Sequence, residues 1–265
     1  MTNFAAQSRD SQVTVSPGID VRVRVRGEGD PLLLLNGFTR HLESWGPFAD
    51  ALDERMIISF DAPGVGESTV PRLPLSITRL ADVAASVLDH FGIERADVLG
   101  FSYGGAVAQQ MAVSHPGRVR RLVLVATSCG LGTTLGAVDT LDRAALGRGT
   151  TKWTHTVGAL WNAMAITSWS SISFLGSITS PTLVVCGTDD SVAPPANSRS
   201  LAQRIPDASL VMLVGGHDLQ LPEPAARLAA TVDRFLVREG FESPARGGTN
   251  VATANNDVAQ NKEMI

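Results

Sequence analysis

Ala96-Asp97-Val98-Leu99-Gly100-Phe101-Ser102-Tyr103-Gly104-Gly105-Ala106 is the stretch that decides the fold. It holds a serine between two glycines, in the pattern Gly-x-Ser-x-Gly. An apolar run leads in, and a segment rich in Ala and Gln leads out. That context predicts a buried strand, a very tight turn and then a helix, with Ser102 held in strained backbone at the turn. Small residues flank the serine because Cβ atoms would collide as strand and helix close on each other. Such a turn lifts a hydroxyl above the sheet, at the N-terminus of the following helix, where free N–H groups favour negative charge. The plainer alternative is a glycine-rich turn with a capping serine, and the matched flanks disfavour it.

Similar apolar runs recur outward from this turn. Pro31 to Leu35, Met56 to Phe60, Arg121 to Ala126 and Thr182 to Cys186 are too short for helices and suit strands buried on both faces, with Ser209 to Leu213 a further candidate. Val13 to Val15 and Ile19 to Arg26 read as two strands around a Pro17-Gly18 turn. The alternating Arg22, Arg24 and Arg26 fit a half-exposed strand rather than a nucleic-acid patch. Amphipathic segments fall between the strands: His41 to Leu52, Ile77 to Phe91, Tyr103 to His115, Pro195 to Ile205 and Glu223 to Arg238. Strand and helix in alternation predict an α/β fold with a mostly parallel eight-stranded sheet and helices on both faces.

The chain is long enough for one large domain at 265 residues, and 44% hydrophobic against 18% charged residues lets it bury a sizeable core. Residues 10–127 and 181–240 form the expected core. Residues 128–180 break the rhythm: Gly130 to Gly136 is rich in Gly and Thr, while Trp153, Trp161 and Trp169 lie in an apolar, helical-looking stretch. We read this as a short helical cap inserted over the end of the sheet, one more core helix being the alternative. Residues 241–265 are poor in large apolar side chains and read as disordered. A net charge of −4 argues against binding nucleic acid or an anionic membrane. Cys129 and Cys186, the only two cysteines, make no disulfide framework, and Cys186 sits in a core run. No signal peptide or membrane span is legible, so a cytoplasmic protein is expected.

A serine hydroxyl is a weak nucleophile and needs a base, which in turn needs an orienting acid. For a serine on such a turn the chain order is serine, acid, histidine, so both partners should follow Ser102. Of the five histidines, His41, His90 and His115 come at or before the end of the nucleophile helix, and His155 lies in the cap. His217 follows the last strand on a Gly215-Gly216 turn and is the expected base. Asp189 and Asp190, just past the Thr182 strand, compete as the acid, with Asp139 and Asp142 as outside possibilities. Asp218 reads as a surface carboxylate. Two N–H donors should hold the oxyanion: Tyr103, next after the serine, and Phe38 in the Asn36-Gly37-Phe38-Thr39-Arg40 loop, where Gly37 lets the backbone turn. Asp61 to Ser68 reads as a supporting loop. It has no lysine at the phosphate-loop position, and no cluster shows metal-ligand spacing, so no cofactor or metal is expected.

With these motifs in order, residues from about Pro31 to Leu236 resemble α/β-hydrolases. More narrowly they resemble intracellular medium-chain-length polyhydroxyalkanoate depolymerases, through Leu35-Asn36-Gly37 (many relatives carry His-Gly), Phe60-Asp61-Ala62-Pro63-Gly64-Val65-Gly66, Ser102-Tyr103-Gly104-Gly105-Ala106-Val107-Ala108-Gln109-Gln110, Thr167-Ser168-Trp169 and Pro181-Thr182-Leu183-Val184-Val185. The resemblance implies a triad of Ser102, Asp190 and His217, and so selects Asp190 over Asp189. It implies ester hydrolysis of 3-hydroxyacyl polymers or oligomers. The insert is shorter than the cap such depolymerases carry, which weakens the tie to a polymer but not to ester chemistry. Gly37, Trp161 and Trp169 are the expected substrate contacts. Lactone, thioester or carbon–carbon cleavage on the same triad stays open, as does a non-catalytic binding protein on the same scaffold.

Overall fold

The computed structural model describes residues 8–52, 54–130 and 156–237. The expected tail at 241–265 and the 131–155 part of the insert, with Trp153, Asp139 and Asp142 in it, lie outside the described residues. Eight strands form one sheet: β1 (Arg9–Ser16), β2 (Ile19–Arg26), β3 (Asp30–Leu35), β4 (Arg55–Phe60), β5 (Ala96–Phe101), β6 (Val119–Val125), β7 (Thr182–Gly187) and β8 (Ala208–Leu213). Their spatial order is β1-β2-β4-β3-β5-β6-β7-β8. β1 and β2 pair antiparallel, and β2 meets β4 antiparallel. Every pairing from β4 through β8 is parallel. Among the described residues the helices are α1 (Gly46–Asp50), α2 (Ile77–His90), α3 (Tyr103–Ser114), α4 (Thr156–Thr167), α5 (Pro195–Arg204) and α6 (Pro222–Val237).

The wholly apolar runs are explained by two cores, one on each face of the sheet. Leu33 and Leu35 of β3, Val98 of β5, Leu122 and Leu124 of β6 and Val184 of β7 face α2, α3 and α5. Their alternates Leu32, Leu34, Leu99, Phe101, Val123, Val125, Leu183 and Val185 face α1 and α6. Successive side chains on a strand point to opposite faces, so a strand covered on both sides must be apolar throughout. Both cysteines are free and buried, and burial pushes both thiols above the usual range.

The segment expected as one helix from His41 to Leu52 is instead a 3₁₀ turn at Leu42–Trp45 followed by the short α1. Pro47 sits in the first turn of α1 and has no N–H to continue a helix from the preceding turn. Trp169 also departs from the helical reading. The Thr167 hydroxyl bonds the carbonyl of Ala163 and that of Ser168 bonds Met164, and α4 stops there. Trp169 comes after the stop and is buried.

α4 is seated by a contact that admits no side chain. A methyl group added at Gly158 would lie 2.0 Å from the Gly64 oxygen, in the Asp61 to Ser68 loop. The Trp161 indole N–H donates to the Pro71 carbonyl at 3.0 Å on the same side. Helix α3 meets strands β3 and β5 as tightly. A methyl at Gly104 would stand 2.1 Å from the Leu35 oxygen, and one at Gly100 would stand 2.4 Å from the Gly104 oxygen. Gly104→Ala is therefore expected to destabilise the fold by about 1–3 kcal/mol or more. Gly176→Ala, where nothing stands within 4 Å, should stay within about 0.5 kcal/mol. Urea unfolding of both variants checks this; equal midpoints would contradict the close fit.

Candidate active site

The loops that follow β3, β4, β5, β7 and β8 all leave the sheet at its C-terminal edge, where open α/β sheets bind ligands. Ser102 follows β5 with φ 51° and ψ −116°, a left-handed backbone that L-residues avoid. It is held there from three directions. Its N–H donates to Val125 at 2.8 Å, its carbonyl accepts from the Gly105 N–H at 2.9 Å, and the Thr127 hydroxyl donates to the same carbonyl at 2.7 Å. A residue so fixed cannot relax the strain without breaking the junction of β5, β6 and α3.

Asp190, Ser102 and His217 come together as one hydrogen-bonded chain. Nδ1 of His217 lies 2.8 Å from Asp190 Oδ2, and Nε2 lies 3.0 Å from Ser102 Oγ. A carboxylate offers only acceptors, so Nδ1 carries the proton and Nε2 accepts from the serine hydroxyl. Asp190 is 3% exposed, and its other oxygen accepts from the Val192 and Ala193 amides at 2.9 and 2.8 Å. Those two donors fix the carboxylate's rotation. Asp189 points outward, exposed, and takes the Thr188 hydroxyl at 2.8 Å. Its amide donates to Gly215 at 2.9 Å, which ties the loop after β7 to the loop carrying His217. A methyl at Gly187 would fall 2.2 Å from the Gly216 oxygen, so the two loops touch backbone to backbone.

Phe38 and Tyr103 are brought together as well, their rings edge-on with centroids 5.9 Å apart. Among the described residues neither amide donates to an acceptor. Asn36 pins the loop that carries Phe38. Its amide group donates to the His41 carbonyl at 2.8 Å and to Ser44 Oγ at 2.7 Å, and its oxygen accepts from the Gly37 N–H at 2.9 Å. At Gly37 a side chain would run into the Phe101 ring at 2.8 Å, so this glycine lets the loop cross Phe101. Asp61 anchors the neighbouring loop, accepting from the Leu42 N–H at 2.8 Å and the Glu67 N–H at 3.1 Å. Burial raises its carboxyl above the ordinary range in spite of those donors.

The expected substrate contacts are not gathered with the serine in the same way. The half-buried Trp161 commits its N–H to Pro71. Trp169 lies in the core, 6.1 Å edge-on to Phe174, with its N–H on Gln110 Oε1 at 3.0 Å. The sequence reading missed Asn162. This residue of α4 is 4% exposed and accepts at 3.1 Å from the Tyr103 hydroxyl, joining α4 to the residue after the serine. Burial pushes the Tyr103 phenol upward, so it stays a donor. Among the described residues no group of three or more His, Cys, Asp or Glu stands close enough to hold a metal ion. Nor is any helix among them long and apolar enough to cross a membrane.

A strained serine above a parallel sheet, bonded to a histidine and a buried aspartate, defines a class, and the comparisons agree with it. The sequence pattern of the alpha/beta hydrolase fold family matches residues 30–146 and 148–224, and the chain belongs to that family of enzymes. It is 35% identical to a poly(3-hydroxyalkanoate) depolymerase of Ectopseudomonas oleovorans, over 82% of this chain and 90% of that one. It is 30% identical to a 2-hydroxymuconate semialdehyde hydrolase of Pseudomonas putida, over 84% of this chain and 92% of the relative. Among solved structures, the enol-lactonase from Burkholderia xenovorans LB400 superposes with a TM-score of 0.76 at 27% identity, covering 86% of this chain and all of that one (100%).

The Tyr103–Asn162 bond predicts that Tyr103→Phe, which leaves the Asn162 oxygen buried without its donor, costs about 1–3 kcal/mol. Thermal or urea unfolding measures it, and an unchanged stability would show that the bond does not hold α4 down.

Proposed function

We propose that this chain is a serine carboxylic-ester hydrolase working through an acyl-enzyme. The observation that carries the reading is the bonded chain from Asp190 through His217 to Ser102, with the serine on its strained turn. His217 Nε2 takes the proton as Ser102 Oγ attacks the ester carbonyl. The amides of Phe38 and Tyr103 receive the oxyanion, a pair of fixed donors of the kind whose single loss slows acyl transfer by about 10²–10³-fold. His217 returns its proton to the leaving alcohol. It then takes one from water as that water attacks the acyl carbon, and passes it to Ser102 Oγ as the acid leaves. Asp190 holds the imidazole in the productive tautomer and offsets its charge while it is protonated.

For substrate we propose 3-hydroxyacyl esters, in small or polymeric form, on the strength of the 35% identity to the depolymerase. Residues 128–180 are proposed to cap the site, with Gly37, Trp161 and Trp169 shaping the acyl pocket, the last from the core behind it. The exposed apolar Val157, Leu160 and Met164 of α4 would suit contact with a water-insoluble polyester. The lactonase and semialdehyde-hydrolase relatives favour a second reading, a lactone or carbon–carbon substrate on the same triad.

Initial rates on p-nitrophenyl esters from acetate to palmitate, with colloidal 3-hydroxyacyl polyester and a lactone alongside, test both readings. Serine-dependent rates that peak at medium chains, with clearing of the polymer, are expected, and Ser102→Ala should abolish them while the protein stays folded. An untouched polymer with active short esters would leave a general carboxylesterase. Turnover of the lactone alone would favour the second reading. Asp190→Asn should lower kcat by about 10³–10⁴-fold, whereas Asp189→Asn should stay within about threefold of wild type. The reverse order would assign the acid to Asp189.

A further inference from the structure

Arg40 touches three parts of the site at once. Its amide donates to the Gly37 carbonyl at 3.1 Å, closing the turn that carries Phe38. Its guanidinium lies 5.4 Å from the centre of the Phe101 ring, and that ring stands 5.1 Å from the imidazole of His217. Its Nη2 donates to Asp218 Oδ1, a pairing across 178 positions of sequence. The Arg40 side chain is 15% exposed and that of Asp218 is 39% exposed. Asp218 is therefore not the free surface carboxylate that its neighbourhood in the sequence suggests.

The loop carrying His217 is tied to the loop after β7 through Gly215 and Gly216, and the Arg40–Asp218 pair holds it on the opposite side, toward the loop after β3. Gly215, at φ 142°, and Gly216 precede the histidine and leave its backbone little intrinsic stiffness. Asp190 fixes the Nδ1 edge of the ring but cannot fix where the backbone enters. Asp218 is the next residue after His217, so its ion pair with Arg40 lies one residue from the base whose ring stands over Phe101. The flat guanidinium suits the role, because it can lie on a ring and bond a carboxylate in one pose.

We propose that Arg40 is a positioning residue that clamps the His217 loop to the oxyanion loop and holds the imidazole in line with Ser102. The proposal rests on the serine-hydrolase reading above. The pair is half-buried and can contribute to stability as well, so what distinguishes a clamp is its effect on turnover.

The test is steady-state kinetics on a medium-chain p-nitrophenyl ester, with the rate of modification by an uncharged fluorophosphonate, for wild type, Arg40→Met, Arg40→Lys, Asp218→Asn and the Arg40→Met/Asp218→Asn pair. Arg40→Met and Asp218→Asn should each lower kcat by about 10–100-fold, the scale of a misplaced catalytic group, with KM within about threefold. The phosphonate rate should fall in parallel. The double variant should be no worse than the poorer single, because both remove one interaction. Arg40→Lys, which keeps the charge but not the flat face, should fall between. Unchanged kcat with only a lowered melting temperature, or additive losses in the double variant, would overturn the clamp. A wild-type protein inert to every ester and to the phosphonate would overturn the serine-hydrolase reading and the clamp with it.

Discussion

Helix α3 closes on strand β5 with no room for a side chain at Gly100 and on the end of β3 with none at Gly104, and the rest of the site depends on that closure. The turn between β5 and α3 has one residue in which to reverse direction, so Ser102 takes a positive φ that its Cβ disfavours. The strain is retained because β6 holds the serine's amide and Thr127 holds its carbonyl. The hydroxyl then stands above the sheet edge, the following amide has no acceptor among the described residues, and α3 points its N-terminus at the same place. A larger residue at either glycine would push the helix outward and take the serine with it.

Parallel pairing from β4 to β8 gathers the remaining groups, because every loop leaving a C-terminal strand end emerges on one edge. The loop after β3 supplies Phe38, that after β7 supplies Asp190, and that after β8 supplies His217. Each is tied down locally: Asn36 pins the first, two amides pin the Asp190 carboxylate, and the contact of Gly187 with Gly215 and Gly216 joins the last two. The site is thus a rigid constellation carried on loops, with the two cores beneath it supplying the stiffness. α4 is fitted onto this edge through Gly158 and Asn162, with Ala165 packed into the core that faces α2, α3 and α5.

Much of this was legible in the sequence because it follows from local pattern. Strands buried on both faces show as apolar runs, and α2 and α6 show as amphipathic periods. The serine turn shows as small residues between a strand and a helix. What stayed hidden depends on side-chain direction or distant partners. Asp189 and Asp190 are neighbours in one loop, and only the rotation of the chain sends one inward and the other to solvent. Arg40 and Asp218 are ordinary surface charges until the fold sets them together. Trp169 lies in an apolar stretch that reads as helix, yet α4 ends at Thr167, before it. Pro47 did announce the break between the Leu42 turn and α1, and the periodicity around it concealed the signal.

The central claim is that Ser102 is a nucleophile activated by His217. The most direct measurement is the intact mass and peptide map of the full-length protein after exposure to a fluorophosphonate. The account predicts one adduct per chain, on Ser102, formed far more slowly in His217→Ala. An adduct on another serine, or a folded protein that stays unmodified, would contradict it.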